Sequence, residues 1–293
     1  MKTSTLCIAF AVSLALPVPG QVQAKPAPVK MHLVSEVDAV VPGIKLTIGL
    51  FLKHGPGWHS YWKNPGTVGM ATHVKWKLPK GCTAGPLRWQ LPQRTKMGVY
   101  TVWGYEGEAL LLTDISVPKS LAGKGDLEFT ADVSYMVCSK TCNPGNAKVS
   151  IVLPRRDKAK VIANWRARFE KIRGQQPRKM ERTWYVAATR SAETYTLTLT
   201  PNAKGGANGQ VRDLYFFAEA EGRLISSDAP QKFRRVGNRL VLHLQREKFS
   251  PGEGKRLRGL LHSVDGFLDG ATVNALAVDA PITTAEKKRP APR

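Results

Sequence analysis

Strand-length segments closed by turn residues limit what this chain can fold into. "TYTLTLTP" (Thr194–Pro201) alternates without a break and puts Tyr195, Leu197 and Leu199 on one face. "KLTIGLFLK", "HVKWKLP", "ALLLTDISVP", "LEFTADVSYMV" and "AKVSIVLP" come earlier, between Lys30 and Pro154, with Pro-Gly, Asn-Pro-Gly and Gly-Lys-Gly breakers among them. Short strands at such spacing predict an antiparallel sandwich or barrel. The chain shows no Gly-rich phosphate loop and no strand–helix alternation, which argues against a nucleotide-binding α/β fold. After Glu181 the pattern returns in "DLYFFAEAEGRLI", "RLVLHLQ", "KRLRGLLHSV" and "TVNALAVDAPI", a second β-rich unit. "KGGANGQ" reads as a loop.

Between the two units the period changes. Val161, Ile162, Trp165, Phe169 and Ile172 recur at helical spacing, and Gly174 and Pro177 close the pattern. This predicts one amphipathic helix from Asp157 to Arg173, joining two domains and packing through its aromatic stripe. The stretch from Arg155 to Arg182 holds eleven Lys or Arg against three Asp or Glu. It reads either as a solvated helix face or as a contact for an anionic surface.

The N-terminus sets the compartment. Lys2, the apolar run Leu6–Val18 and Val22-Gln23-Ala24 have the layout of a secretory signal over residues 1–24. That run is shorter than the roughly twenty residues a membrane span needs. The expected product is exported, soluble after cleavage, and has lost Cys7 with the signal. The whole chain carries a net charge of +22. For an exported protein this points to anionic lipids, cell-wall polymers or acidic partners, with no nucleic acid expected.

Three cysteines then remain: Cys82, Cys138 and Cys142. An oxidising compartment favours disulfides, and the close pair is the natural bridge. As a staple it is weak, because so short a loop gives about 2 kcal/mol against about 4.7 for a hundred-residue loop. Short-loop disulfides are also easily strained and more reducible. Zinc lacks a second ligand pair at the right spacing. Cu(I) suits soft sulfur, and Met136, Cys138 and Cys142 form a possible set. Staple, copper ligand and redox switch all stay open on these grounds.

"YMVCSKTCNPGNAKVSIVLP" resembles the cysteine segment in the N-terminal periplasmic region of DsbD-type thiol:disulfide interchange proteins, especially the ScsB-like branch. "GWHSYWKNPGTVG", "AGPLRWQLPQR" and "VWGYEGEALL" are similar to further motifs of that group. "LYFFAEAEGRLISSDAPQ" and "LRGLLHSVDG" resemble its second half, so the likeness runs from about Met31 to Ile282. It implies a mainly β protein of two immunoglobulin-like β-sandwich domains, at 25–155 and 181–285. The basic helix and linker read from the residues, 156–180, would join them, and the tail at 286–293, poor in apolar residues, reads as disordered. The likeness also implies that Cys138 and Cys142 are the catalytic, redox-active pair, shuttling between disulfide and dithiol. His59, Tyr61, Trp103 and Tyr105 are the expected surroundings, as a cap or as proton-transfer support, with His59 and Tyr61 in a loop bounded by Gly and Pro. No cofactor is implied.

The implied partners are a membrane thiol–disulfide carrier and periplasmic thioredoxin-like or disulfide-containing proteins. Full-length relatives continue into a membrane domain and a thioredoxin-like domain. This sequence ends at Arg293 with neither, so the electron donor is expected on a separate chain. Cys82 stands where an apolar residue is expected and reads as buried and reduced, with a third redox participant or an intermolecular link as the alternative. The competing expectation is an immunoglobulin-like adaptor or copper-handling protein with a structural disulfide.

Overall fold

A computed structural model describes residues 28–121, 125–179, 184–202, 211–219, 224–248, 250, 252, 254–267 and 274–284. The expected signal (1–24), the loop at 204–210 and the tail at 286–293 lie outside the described residues.

The first unit contains β1 (Val29–Ser35), β2 (Leu46–His54), β3 (His59–Gly66), β4 (His73–Lys77) and β5 (Thr83–Arg88). It continues with β6 (Gln93–Met97), β7 (Tyr100–Glu106), β8 (Glu108–Ser116), β9 (Asp126–Cys138) and β10 (Cys142–Pro154). One sheet runs β1-β2-β8-β5, and the other runs β10-β9-β3-β7-β6 with β4 also paired to β9. Their pairings are antiparallel. Leu33, Ile48, Leu50, Leu52 and Leu111 of the first sheet share a core with Phe129, Ala131 and Val133 of the second. Antiparallel sheets packed face to face make this a mainly β sandwich of the immunoglobulin-like kind.

The helix α1 (Ala163–Gly174) starts six residues later than the periodicity predicts. Backbone bonds outcompete it there. Asp38 N–H donates to the Lys160 carbonyl at 3.0 Å, Ile162 N–H donates to the Glu36 carbonyl at 2.9 Å, and Val37 bridges Val161. Val161 is accordingly exposed, while Phe169 and Ile172 are buried against Val34, Phe51, Leu110 and Leu112 of the first sheet. The helix therefore packs on the first unit and does more than connect two units. Its three arginines are engaged: Arg173 pairs with buried Glu36, Arg166 with Glu36 and Glu170, and Arg168 with Glu108. These internal pairs weaken the case for the helix as an anionic-surface contact. No helix of the described residues is long and apolar enough to cross a membrane.

The second unit comprises β11 (Arg178–Lys179), β12 (Trp184–Arg190), β13 (Thr194–Pro201), β14 (Tyr215–Ala218), β15 (Lys232–Val236), β16 (Arg239–Gln245), β17 (Arg256–His262) and β18 (Ala275–Thr284). Its order is β14-β17-β18-β12-β13-β16-β15, with β11 against β18. β18 is antiparallel to β17 up to Pro281 and then runs parallel to β12 from Ile282, so one strand serves both leaves. Tyr195, Leu197 and Leu199 of β13 are all buried, as their alternation predicts.

The units meet through aromatic side chains. Trp62 and Trp103 lie edge-on to Phe217 at 6.2 and 5.8 Å, and Trp103 Nε1–H donates to the Tyr215 hydroxyl at 3.0 Å. Such pairs add about 0.5–1.5 kcal/mol each beyond the area they bury.

Candidate functional site

β9 and β10 form a hairpin in which Cys138 and Cys142 are direct cross-strand partners with Cα atoms 4.2 Å apart. The two are joined as a disulfide. Ser139 N–H donates to the Thr141 carbonyl at 3.0 Å and closes the turn between them. The sulfurs sit in unlike surroundings: Cys138 is 0% exposed, whereas Cys142 begins an edge strand and is exposed.

β3 supplies one wall of the pocket. His59 pairs with Cys138 across β9, and its side chain shares a face with that of Tyr61. This corrects the loop expected for the two residues: they lie on a strand. Tyr61 is fully buried, with its hydroxyl 3.3 Å from His59 Nε2 and 4.0 Å from Cys142 Sγ. Gly69 makes room for the ring: its φ is +107°, and a Cβ there would stand 2.2 Å from the Tyr61 ring. Val102, Val68, Met97 and Met136 complete the cluster around Cys138 and Tyr61. Met97 Sδ lies 3.8 Å from Cys142 Sγ.

Burial sets the protonation of this wall. Desolvation pushes the Tyr61 hydroxyl up to about 12, so it is a proton donor at neutral pH. Desolvation also lowers His59 below the ordinary histidine value, against a partial upward pull from Glu106, and keeps the ring neutral. In its Nε2–H tautomer His59 donates to the Tyr61 oxygen and leaves the phenol proton to the Cys142 sulfur. His54 lies behind them. Its Nδ1–H donates to the Gly107 carbonyl at 2.8 Å, and its Nε2 accepts from the Ser60 hydroxyl at 2.8 Å. Desolvation lowers its pKa too.

Of the four surrounding residues expected from the sequence, the fold brings two to the disulfide. Trp103 and Tyr105 alternate with Val102 along β7, so their side chains point to the opposite face. Trp103 meets Tyr215 and Phe217, and Tyr105 donates to the Gln90 carbonyl at 2.7 Å. Met97 and Val102 went unnoticed in the sequence. The two-residue period of "YTVWGYE" marks Val102 as facing away from Trp103, but nothing local marks Met97, which arrives through the β6–β7 turn. Cys82 forms no disulfide among the described residues and is half-buried where burial was expected; burial raises its thiol pKa. Among the described residues no group of three or more His, Cys, Asp or Glu could hold a metal ion.

An immunoglobulin-like sandwich with a cross-strand disulfide, one sulfur covered and the other open, has the make-up of a thiol–disulfide interchange module. Residues 29–154 match the family described as thiol:disulfide interchange protein DsbD, N-terminal. The chain is similar to the N-terminal periplasmic domain of ScsB from Proteus mirabilis, with TM-score 0.58 and 16% identity, covering 85% of this chain and 92% of that one. That likeness extends the shared fold into the second unit. The reduced DsbD N-terminal domain of Neisseria meningitidis aligns at TM-score 0.28 and 10% identity, over 45% of this chain and 88% of its own. No curated protein sequence matches.

Proposed function

We propose that this chain is a periplasmic electron carrier. It takes reducing equivalents from a membrane thiol carrier on a separate polypeptide and passes them to thioredoxin-like or disulfide-containing exported proteins. The observation that carries this reading is the unequal burial of the two sulfurs: an incoming thiolate reaches Cys142, while Cys138 lies beneath Tyr61 and Val102. A structural staple has no need of such asymmetry, and a thiol–disulfide relay does.

In the loading step a donor thiolate attacks Cys142 Sγ, the Cys138–Cys142 bond breaks, and Cys138 leaves as a thiolate that takes up a proton. A second donor thiol attacks the donor sulfur of this mixed disulfide and releases Cys142. The donor ends as a disulfide and the pair as a dithiol, which gains two electrons and two protons. In the delivery step the Cys142 thiolate attacks a substrate disulfide and Cys138 resolves the intermediate. Tyr61 would hydrogen-bond the Cys142 thiolate, and His59 would hold the phenol in place. On this reading residues 25–155 are the redox domain, and the second unit, with the helix and linker at 156–180, positions partners.

Cys138→Ser should trap a mixed disulfide through Cys142 with an oxidised thioredoxin-like protein, visible on non-reducing gels, whereas Cys142→Ser should trap none. If neither variant traps a partner, the carrier reading fails and an adaptor with a structural disulfide takes its place.

One contact favours a second reading. Met97 beside Cys142 adds a third soft sulfur to the reduced pair, a donor set suited to Cu(I). Tight Cu(I) binding by the reduced protein that is weakened in Met97→Ala or Met136→Ala would support it; binding indifferent to both would remove it.

A further inference from the structure

The segment "GWHSYWKNPGTVG" has two jobs in the fold. His59 and Tyr61 face the disulfide, but from Trp62 onward the strand turns to the second unit. Pairing with β7 is regular at His59–Glu106, Ser60–Tyr105 and Tyr61–Gly104 and resumes only at Gly66–Val102. Residues 62–65 therefore bulge opposite Trp103 alone. The second unit holds this bulge. Lys63 Nζ pairs with Glu219 at 2.5 Å, and Asn64 Nδ2 donates to the Ala218 carbonyl at 2.8 Å.

Ser227, within the connection between β14 and β15, closes the grip. It is 2% exposed, and its hydroxyl accepts from the Thr67 backbone N–H at 2.9 Å and donates to the Thr101 carbonyl at 2.6 Å. Asp228 beside it accepts from the Thr101 N–H. The close fit needs a glycine opposite: a Cβ on Gly66, whose φ is +89°, would stand 2.4 Å from Ser227 Oγ. Thr67 is followed by Val68 and Gly69, and Thr101 by Val102. One hydroxyl of the second unit thus ties together the two segments that press Tyr61, Val68 and Val102 around the disulfide.

We propose that Ser227 is a positioning residue of the redox site, through which the second unit sets how readily the Cys138–Cys142 disulfide is opened. The assignment rests on reading that pair as exchangeable. Ser227 touches neither sulfur. The contacts it braces are those of the disulfide form, so loosening them destabilises that form and uncovers it. Both the rate and the equilibrium constant for reduction should rise.

The test is reduction of the full chain by dithiothreitol, in which the reagent's dithiol is oxidised to its cyclic disulfide as the pair gains two electrons and two protons. Ser227→Ala should raise the second-order rate and the equilibrium constant at least threefold over wild type. Asp228→Ala, a milder change at an exposed residue, should move both the same way by a smaller factor. Ser263→Ala is the control: it removes another buried hydroxyl of the second unit, one without a hydrogen-bond partner among the described residues, and should leave both constants unchanged. The proposal is overturned if Ser227→Ala and Asp228→Ala match the control, or if Ser227→Ala fails to fold and Asp228→Ala matches it. Dithiothreitol needs no protein partner, so the experiment reads out even where the trapping experiment fails and the carrier reading falls alone.

Discussion

On the proposed carrier reading, Tyr61 is the residue on which the chemistry of the pair depends. A phenol held protonated by burial can stabilise a nearby thiolate, and a hydrogen bond to a charged group contributes about 1.5–3 kcal/mol. Tyr61→Phe keeps the ring against Gly69 and removes only that donor. In the reduced protein the Cys142 thiol pKa should rise by about one unit, since one unit is about 1.4 kcal/mol. The midpoint of the alkylation rate against pH reports it, and an unmoved midpoint would remove Tyr61 from the mechanism. The histidines give a second prediction at this scale. His54 and His59 are both depressed by desolvation, so the unfolded chain takes up protons near pH 6.5 while the folded chain takes them up only lower. Stability should therefore be complete above about pH 6.5 and decline as pH falls through that value toward the folded ones. Thermal melts from pH 7.5 to 5 should show the fall, and His54→Gln should melt lower at pH 7.5 yet lose less on acidification. A parallel loss in both proteins would contradict the assignment.

At the scale of the element, α1 is held by its buried face more than by its ends: Ile162 at its N-cap makes no side-chain capping bond, and no acid lies in the first turn. Phe169 carries most of that face. Phe169→Ala should cost about 3–5 kcal/mol in denaturant unfolding, the usual range for a fully buried aromatic. A loss under 1 kcal/mol would mean that the helix is not docked as described. The same element shows where sequence reading stops. Phe169 and Ile172 were legible because helical period and burial coincide there. The start of the helix was not, because Val161 and Ile162 continue the apolar period while their backbone answers to Glu36 and Val37, more than a hundred residues away. β3 misled for a similar reason: "KNPG" reads as loop punctuation, and only the partner strands reveal a strand with a bulge. The cysteine pair, His59 and Tyr61 were found through motif likeness, whereas Met97 depends on a turn whose direction no local pattern specifies.

At the scale of the molecule, the face of β3 and β7 opposite the disulfide is an aromatic joint between two units. A single hydrophobic cluster runs through both. They should unfold together, and Trp103→Ala, which removes the indole bonded to Tyr215, should divide one calorimetric transition into two. One undivided transition in that variant would show that the joint is not what couples them. The central claim is that Cys138 and Cys142 carry electrons rather than staple a hairpin. Its most direct test is the reduction potential of the full chain, measured by equilibration against thiol–disulfide buffers of known potential. The carrier account predicts a value in the range of about −180 to −270 mV spanned by protein disulfide isomerase and thioredoxin, where exchange with such partners is reversible. A value below about −300 mV, with the pair staying oxidised beside a stoichiometric thioredoxin-like donor, would contradict it.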